Sequence, residues 1–192
     1  MRRFPTAYLL SCAAIGVAGG LLLAPATWVS TALFAAVPFA SVALAGVWLV
    51  PAVVALRLLQ RPLAGLLTGL ISGLVIVPFS GYGFGSVLTN LWWSFFPELA
   101  FLVVLWRFWA TWQHYAGAAL AAAAYPLAAS ASFGLESMPL PAQAGFVALT
   151  IASCVAATAL GILIADRLRH AGVAATVRPR RDDRAPSPAG TA

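Results

Sequence analysis

Residues 38–79 read PFASVALAGVWLVPAVVALRLLQRPLAGLLTGLISGLVIVPF, and this stretch decides the fold. Two apolar runs meet at a short segment that holds its only charged residues, Arg57 and Arg61. A helix needs about 20 apolar residues to cross a bilayer, and each run approaches that length. Basic residues beside a span stay on the cytoplasmic side. The stretch therefore predicts two transmembrane helices joined by a tight cytoplasmic turn.

The other arginines repeat this arrangement along the chain. All eleven basic residues are arginines, and they separate long apolar runs. They are Arg2, Arg3, Arg57, Arg61, Arg107, Arg167, Arg169, Arg178, Arg180, Arg181 and Arg184. If two spans separate successive arginine sites, every arginine lies on one side of the membrane. The sequence therefore predicts an all-α integral membrane protein of the cytoplasmic membrane, a six-transmembrane-helix bundle with N-in/C-in topology.

Six spans with short loops account for residues 1–170, which we expect to form one transmembrane domain. The expected spans are 6–24, 38–59, 63–79, 86–109, 115–133 and 142–164. An uncharged connection, 25–37, and a glycine-rich turn, 80–85, are expected outside the cell. Residues 171–192 are rich in Pro, Arg, Asp, Ala and Ser. Such a segment cannot bury a core, so we expect a disordered cytoplasmic tail.

The first apolar stretch also resembles a secretory signal peptide. Arg2 and Arg3 precede it, and Ala24-Pro25-Ala26 has the small residues of a cleavage site. Cleavage would remove one span and break the arginine pattern. We therefore expect an uncleaved first span.

Composition excludes soluble and nucleic-acid-binding proteins. The chain of 192 residues is 62% apolar and 8% charged, whereas a soluble domain is about half apolar and a quarter charged. The net charge of +6 does not indicate nucleic-acid binding, because the arginines flank spans and form no continuous basic face. They suit anionic lipid headgroups instead.

Enzyme and metal sites find no support in the residue pattern. His114 and His170 lie at the ends of predicted spans, so no Ser–His pair lies at the depth that an intramembrane protease requires. No cluster of His, Cys, Asp or Glu suggests a metal site. Cys12 and Cys154 are expected to be small apolar fillers. We therefore expect no catalysis, metal or cofactor in this chain.

Glu98 is the only acidic residue deep inside a predicted span. Arg107 marks the cytoplasmic end of that helix, roughly 13 Å away at 1.5 Å per residue. We therefore expect Glu98 in the middle zone of the membrane, where an ionisable group needs a partner or a role. Two alternatives remain open, contact with a ligand or a protonated carboxyl with a structural role.

Polar residues before Glu98 favour a ligand site. Ser86, Asn90, Ser94 and Glu98 recur every four positions and form a slowly winding stripe along the helix, with Trp93 beside it. We expect a pocket open to the outside with Glu98 at its floor. Such a pocket suits a flat, cationic or amine-bearing heterocycle held by hydrogen bonds, stacking and cation–π contacts.

Other aromatic residues divide into two groups by depth. Trp48 and Tyr125 lie in mid-span, away from the interface where such rings concentrate, and both are candidate pocket walls. Trp106, Trp109 and Trp112 lie at the predicted cytoplasmic end of the fourth span and are expected to form an interfacial belt.

Small residues recur every four positions in three spans and let helix backbones approach closely. They are Ala14 and Ala18, Gly16 and Gly20, Gly65, Gly69 and Gly73, and Ala157 and Gly161. Packing within this chain and docking to another membrane subunit both remain open.

Several short segments resemble the YkoE-like family. They are GVWLVP at 46–51, then Arg57, Arg61-Pro62 and Leu66-Leu67-Thr68, and finally Glu98-Leu99 with Phe101. The resemblance extends over about residues 7–170. Members of this family are substrate-binding S components of energy-coupling factor (ECF) transporters, linked to thiamine or its hydroxymethylpyrimidine precursor.

The resemblance implies a vitamin-capture subunit that is not itself an enzyme. It would bind its substrate from outside and associate with a transmembrane coupling subunit and two ATPase domains. A small-xxx-small face on the first span would dock to the coupling subunit, and Ala14 and Ala18 match that face here.

The implied site combines polar and aromatic side chains. Glu98 would pair with an aminopyrimidine or balance a thiazolium charge, while Asn90 would donate or accept a hydrogen bond and Ser94 would lie beside it. Trp93, Trp48 or Tyr125 would stack on the ring.

The family usually carries a glutamate where this chain has Gly69, which leaves the vitamin undecided. An S component for a different vitamin is one alternative. The other is a non-transporting membrane scaffold or accessory subunit, in which Glu98 is a packing residue.

Overall fold

The computed structural model describes residues 6–173, and the regular secondary structure of this part of the chain is helical throughout. The α-helices are α1 (Thr6–Ala36), α2 (Pro38–Val42), α3 (Val50–Leu59), α4 (Ala64–Ile76), α5 (Gly85–Leu102), α6 (Thr111–Phe133) and α7 (Leu140–His170). A 3-10 helix, Ala45–Leu49, joins α2 to α3, and another, Val77–Phe79, extends α4. A third, Leu135–Ser137, lies between α6 and α7.

Four helical segments are long and apolar enough to cross a membrane. They are Thr6–Ala36, Pro38–Leu59, Thr111–Phe133 and Leu140–His170. Helices satisfy their main-chain polar groups internally, as the hydrocarbon layer requires. The expectation of an all-α, multi-pass membrane protein is therefore confirmed. The four segments are fewer than the six predicted spans, because α4 is short and α5 is interrupted by polar side chains.

Glycines set the helix packing. Helix α1 packs against α4, and α4 packs against α5. A Cβ atom at Gly16 or Gly20 of α1 would lie 2.7 Å or 2.6 Å from the Cβ of Ile71 or Val75 on α4. Gly73 of α4 approaches the α5 backbone equally closely. These glycines therefore serve packing within the chain, one of the two alternatives that the sequence left open.

Helix α1 is longer than the sequence predicted. It continues through Pro25 to Ala36, so the expected loop at 25–37 is wrong. A proline inside a membrane helix is tolerated where neighbouring groups accommodate the lost hydrogen bond. Because this segment stays helical, it forms a wall at one end of the bundle.

Helix α5 is shorter than predicted and ends at Leu102 instead of Trp109. Leu105 and Trp106 adopt left-handed conformations with φ of 51° and 53°, and the main-chain N–H of Trp106 donates to the carbonyl of Phe101 at 2.9 Å. The chain turns back at this point, which brings Trp106 beside the last turns of α5.

Arg57 ties three helices together at the arginine-rich end of the bundle. Its Nε and Nη2 donate to the two carboxylate oxygens of Asp166 on α7 at 3.0 Å and 3.2 Å. Its Nη1 donates to Thr111 Oγ1 on α6 at 3.1 Å. From the sequence we expected Arg57 to set the membrane orientation and did not predict its ion pair with Asp166. Of the predicted tail, residues 174–192 lie outside the described residues, and 171–173 form a turn after α7.

Candidate functional site

A cavity of about 500 Å³ lies at the end of the bundle opposite the Arg57–Asp166 pair. This volume is typical of a small-molecule site. The cavity is lined by Thr27, Ser30, Thr31, Phe34, Ser41, Ala45, Trp48, Ile76, Ser80, Tyr82, Ser86, Thr89, Asn90, Trp93, Tyr125, Ser132 and Phe133. The C-terminal parts of α1 and α6 and the N-terminal part of α5 supply most of this wall.

Hydroxyl groups, one amide and aromatic rings make up the polar and flat surfaces of the wall. The rings of Trp93 and Tyr125 have their centroids 5.1 Å apart, and those of Phe34 and Phe133 meet edge to face at 5.0 Å. Aromatic faces at such spacing offer stacking surfaces for a flat ligand. Among the described residues, the lining includes no acidic or basic side chain.

Two buried polar side chains on α5 can form a further hydrogen bond. Ser86 is 6% exposed, and its hydroxyl has no hydrogen-bond partner within residues 6–173. One turn later, Asn90 uses its Nδ2 to donate to the main-chain oxygen of Ser86 at 2.8 Å, which leaves Oδ1 as an acceptor. Buried polar groups are normally hydrogen-bonded. Ser86 and Asn90 therefore retain hydrogen-bonding capacity in the cavity wall.

The structure brings four of the six predicted site residues together. Asn90 and Trp93 come from α5, Trp48 from the 3-10 helix before α3, and Tyr125 from α6, and all four line the cavity. Ser94 does not. It faces α4, where a Cβ atom at Gly69 would overlap the Ser94 hydroxyl.

Glu98 lies away from the cavity, near the arginine-rich end. Its Oε1 accepts from the main-chain N–H of Leu63 at 2.7 Å and from the Trp106 indole at 2.9 Å, and its Oε2 accepts from the N–H of Gly65 at 2.9 Å. The carboxylate thereby caps the N-terminus of α4, where a negative charge is favourable. This corrects the expectation that Glu98 forms the pocket floor. The physical reason is that Glu98 lies about three turns beyond Ser86 along α5, near the end of this helix and beside the N-terminus of α4.

The predicted interfacial belt is also corrected in part. Trp106 packs inward and bonds to Glu98, and Trp109 stacks on Phe101 with 4.8 Å between ring centroids. Trp112 remains exposed. Two of the three indoles therefore stabilise the turn after α5.

Sequence reasoning missed the wall that α1 contributes. Thr27, Ser30, Thr31 and Phe34 line the cavity, although this segment was expected to be a loop. Their spacing of three, four and seven residues is the pattern of one helix face. That spacing was the signal that could have found them.

A second cavity, of about 300 Å³, forms an apolar groove between α1, α3 and α7. We call it the α1 groove. It is lined by Ala14, Ile15, Ala18, Gly19, Leu22, Val50, Pro51, Val54, Ile164 and Leu168. The predicted docking residues Ala14 and Ala18 are exposed and lie in this groove. Their small side chains leave room for another helix to approach.

Residues 8–124 match the family described as ABC-type cobalt transport system, permease component. The chain belongs to this family. As a permease component it is part of a transport system and not of a known enzyme class. A solved structure of an S component of an ECF transporter shares its fold, with a TM-score of 0.81 and 16% sequence identity over 91% of this chain and 90% of that chain. No curated protein matches the chain.

The name of the permease family raises the question of a metal site. Within residues 6–173, no group of three or more His, Cys, Asp or Glu side chains could hold a metal ion. Hydroxyls, an amide and aromatic rings line the larger cavity of this family member. These groups match an organic ligand better than a transition metal, which prefers imidazole, thiolate or carboxylate.

Proposed function

We propose that this chain is the substrate-binding S component of an ECF transporter and that it imports thiamine or its hydroxymethylpyrimidine precursor. The observation that carries the proposal is the cavity in which Ser86, whose hydroxyl has no partner among the described residues, and Asn90 lie among the rings of Trp48, Trp93 and Tyr125. Family membership in a transport system and the S-component fold support the same function.

The topology we propose is six spans with both termini in the cytoplasm. Arg57, Arg61, Arg107 and the two arginines at the end of α7 lie at one end of the bundle, as the positive-inside rule favours. The cavity then opens to the outside of the cytoplasmic membrane. Labelling of a cysteine placed at Gly81, in the turn at the cavity end, tests this orientation. A membrane-impermeant reagent must reach it in intact cells.

Ligand titration tests the proposed substrate. Purified protein in detergent is titrated with thiamine and with hydroxymethylpyrimidine while its tryptophan fluorescence is followed. We expect saturable quenching by at least one compound, because Trp48 and Trp93 line the cavity. The Asn90→Leu variant should bind about 10-fold more weakly, since a lost polar contact of about 1.4 kcal/mol changes Kd by that factor.

Ser94→Ala is the matched control for this titration. Ser94 lies one turn further along α5 but outside the cavity, so its substitution should leave Kd unchanged. An absence of response to both compounds from folded protein contradicts the proposed substrate. Equal losses in the Asn90 and Ser94 variants contradict the assignment of the cavity.

We also propose that the α1 groove docks the transmembrane coupling subunit, which in turn binds two ATPase domains. The groove is apolar, and on its α1 side the small residues Ala14, Ala18 and Gly19 let a helix of the partner pack closely. Ala18→Trp should fill the groove and abolish co-purification with the coupling subunit, while ligand titration stays unchanged. Leu21→Trp is the control, because Leu21 is exposed on α1 but does not line the groove. Normal assembly of the Ala18 variant would contradict the docking site.

A further inference from the structure

Four of the ten hydroxyl groups that line the cavity have already used their protons. The hydroxyls of Thr27, Thr31 and Thr89 donate to main-chain carbonyls one turn earlier in their helices, at 2.9 Å, 2.9 Å and 3.1 Å. The Ser41 hydroxyl donates to the Pro38 carbonyl at 2.7 Å. Each hydroxyl has one proton and two lone pairs. These four groups therefore offer a ligand only acceptors.

The main-chain N–H groups at the start of α5 are not free to bind a ligand either. A helix N-terminus at a cavity would ordinarily favour an anion. Here the main-chain N–H groups of Gly85, Ser86 and Val87 donate to the carbonyls of the preceding turn at 3.0 Å to 3.1 Å. Helices α1 and α6, in contrast, bring their C-terminal parts, the negative end of the helix dipole, to the same cavity.

No positive charge compensates for this surface. None of the residues that line the cavity within the described chain is Arg, Lys or His. The faces of Trp48, Trp93 and Tyr125 add further negative potential. An anion that entered would lose much of its water shell and find neutral hydroxyl groups and ring faces but no cationic partner, and burial of an unpaired charge is strongly unfavourable.

We propose that the cavity selects an unphosphorylated aromatic ring that carries amine or hydroxyl donors, neutral or singly positive, and rejects the phosphate ester of the same ring. This inference rests on the proposed function and concerns the same cavity. It also assigns an organic molecule as the cargo, because the part of the wall built from residues 6–173 lacks the imidazole, thiolate and carboxylate ligands that hold a bare divalent cation. Phosphorylation inside the cell would convert the cargo into a form that the cavity cannot hold.

Paired titrations test this selectivity. The full-length protein is titrated with hydroxymethylpyrimidine and its monophosphate, with thiamine and its monophosphate, and with cobalt(II) chloride. Each ester should have a Kd at least about 100-fold higher than that of its parent. Cobalt should give no saturable response. An ester that binds within threefold of its parent, or saturable binding of cobalt, overturns the inference. If neither a parent nor its ester binds, the proposed function fails and this inference fails with it.

A charge introduced into the wall tests the cause. Thr89 is exposed, lines the cavity and tolerates a longer side chain. Thr89→Lys should improve the ratio of ester to parent affinity by about 10-fold, because it supplies the missing cation for a charge-assisted hydrogen bond. Leu88→Lys adds the same charge one residue away, outside the cavity, and should leave the ratio unchanged. An unchanged ratio in the Thr89 variant, or equal gains in both variants, would overturn the electrostatic explanation.

Discussion

Glu98→Ala is expected to reduce folded protein in the membrane to background. The substitution removes the acceptor of three donors, the N–H groups of Leu63 and Gly65 and the Trp106 indole. Each buried donor left without a partner costs about 1–3 kcal/mol, and total stabilities are about 5–15 kcal/mol. Leu63 also adopts a left-handed conformation with φ of 65°, which costs roughly 1–2 kcal/mol and is held by its bond to Glu98.

Glu98→Gln should lie between wild type and Glu98→Ala. The glutamine carbonyl oxygen still accepts hydrogen bonds. Its NH₂ group, however, takes the place of a carboxylate oxygen that accepts from an N–H group, so two donors face each other. We expect the Gln variant to have a lower Tm in detergent than wild type, followed by size-exclusion chromatography after heating, and the Ala variant to yield too little folded protein for this measurement. The folded Gln variant should bind ligand with unchanged Kd, because Glu98 is 2% exposed and outside the cavity.

Glu136→Gln is the control for these variants. Glu136 is an exposed acid between α6 and α7, and its substitution should leave the Tm unchanged. A Glu98→Gln protein with normal Tm and lost ligand binding would contradict the structural role and restore Glu98 to the site.

Gly69→Glu is expected to separate α4 from α5. A Cβ atom at this position would overlap the Ser94 hydroxyl and lie 2.6 Å from the Ser94 Cβ and 3.1 Å from the Asn90 carbonyl oxygen. Overpacking of this kind costs about 1–3 kcal/mol, and the glutamate adds the cost of a buried charge. The glutamate that the resembling family usually carries here therefore has no space in this chain.

A rescue experiment isolates the steric cause. Gly69→Ala should lower the Tm and weaken ligand binding, because it displaces the segment that carries Asn90. The double variant Gly69→Ala, Ser94→Gly should recover most of the Tm, since it removes both close atoms. Gly145→Ala, on α7 with nothing within 4 Å of its added Cβ, should have no adverse effect. A Gly69→Ala protein as stable as wild type, or a double variant without recovery, would count against this packing.

The helical membrane fold follows from features that the sequence displays directly. The apolar runs around Arg57 and Arg61 predicted the bounds of the segment from Pro38 to Leu59 and of the following α4 closely. The end of α1 was missed because Pro25 usually marks a break in soluble proteins, whereas a membrane helix tolerates it. The end of α5 depends on left-handed Leu105 and Trp106, and neither residue type signals that conformation.

The polar stripe on α5 predicted four residues at the cavity, and only two of them face it, for a geometric reason. Each step of four residues overshoots a helical turn by about 40°, so Glu98 lies about 120° around the helix from Ser86. Ser86 and Asn90 therefore face the cavity, while Ser94 faces α4 and Glu98 reaches its N-terminus. The pairing of Glu98 with main-chain donors of another helix is a tertiary contact that no sequence spacing reveals.

Helix α1 contributes to both proposed binding surfaces. Its first half places Ala14 and Ala18 in the α1 groove, and its second half places Thr27 and Thr31 in the cavity wall. Binding that tilts α1 at one surface would therefore change the affinity at the other. By linkage such a change is reciprocal. The factor by which bound cargo changes the affinity for the partner equals the factor by which the bound partner changes the affinity for cargo. A partner that binds the cargo-free conformation more tightly would thus lower the affinity for cargo without contacting it.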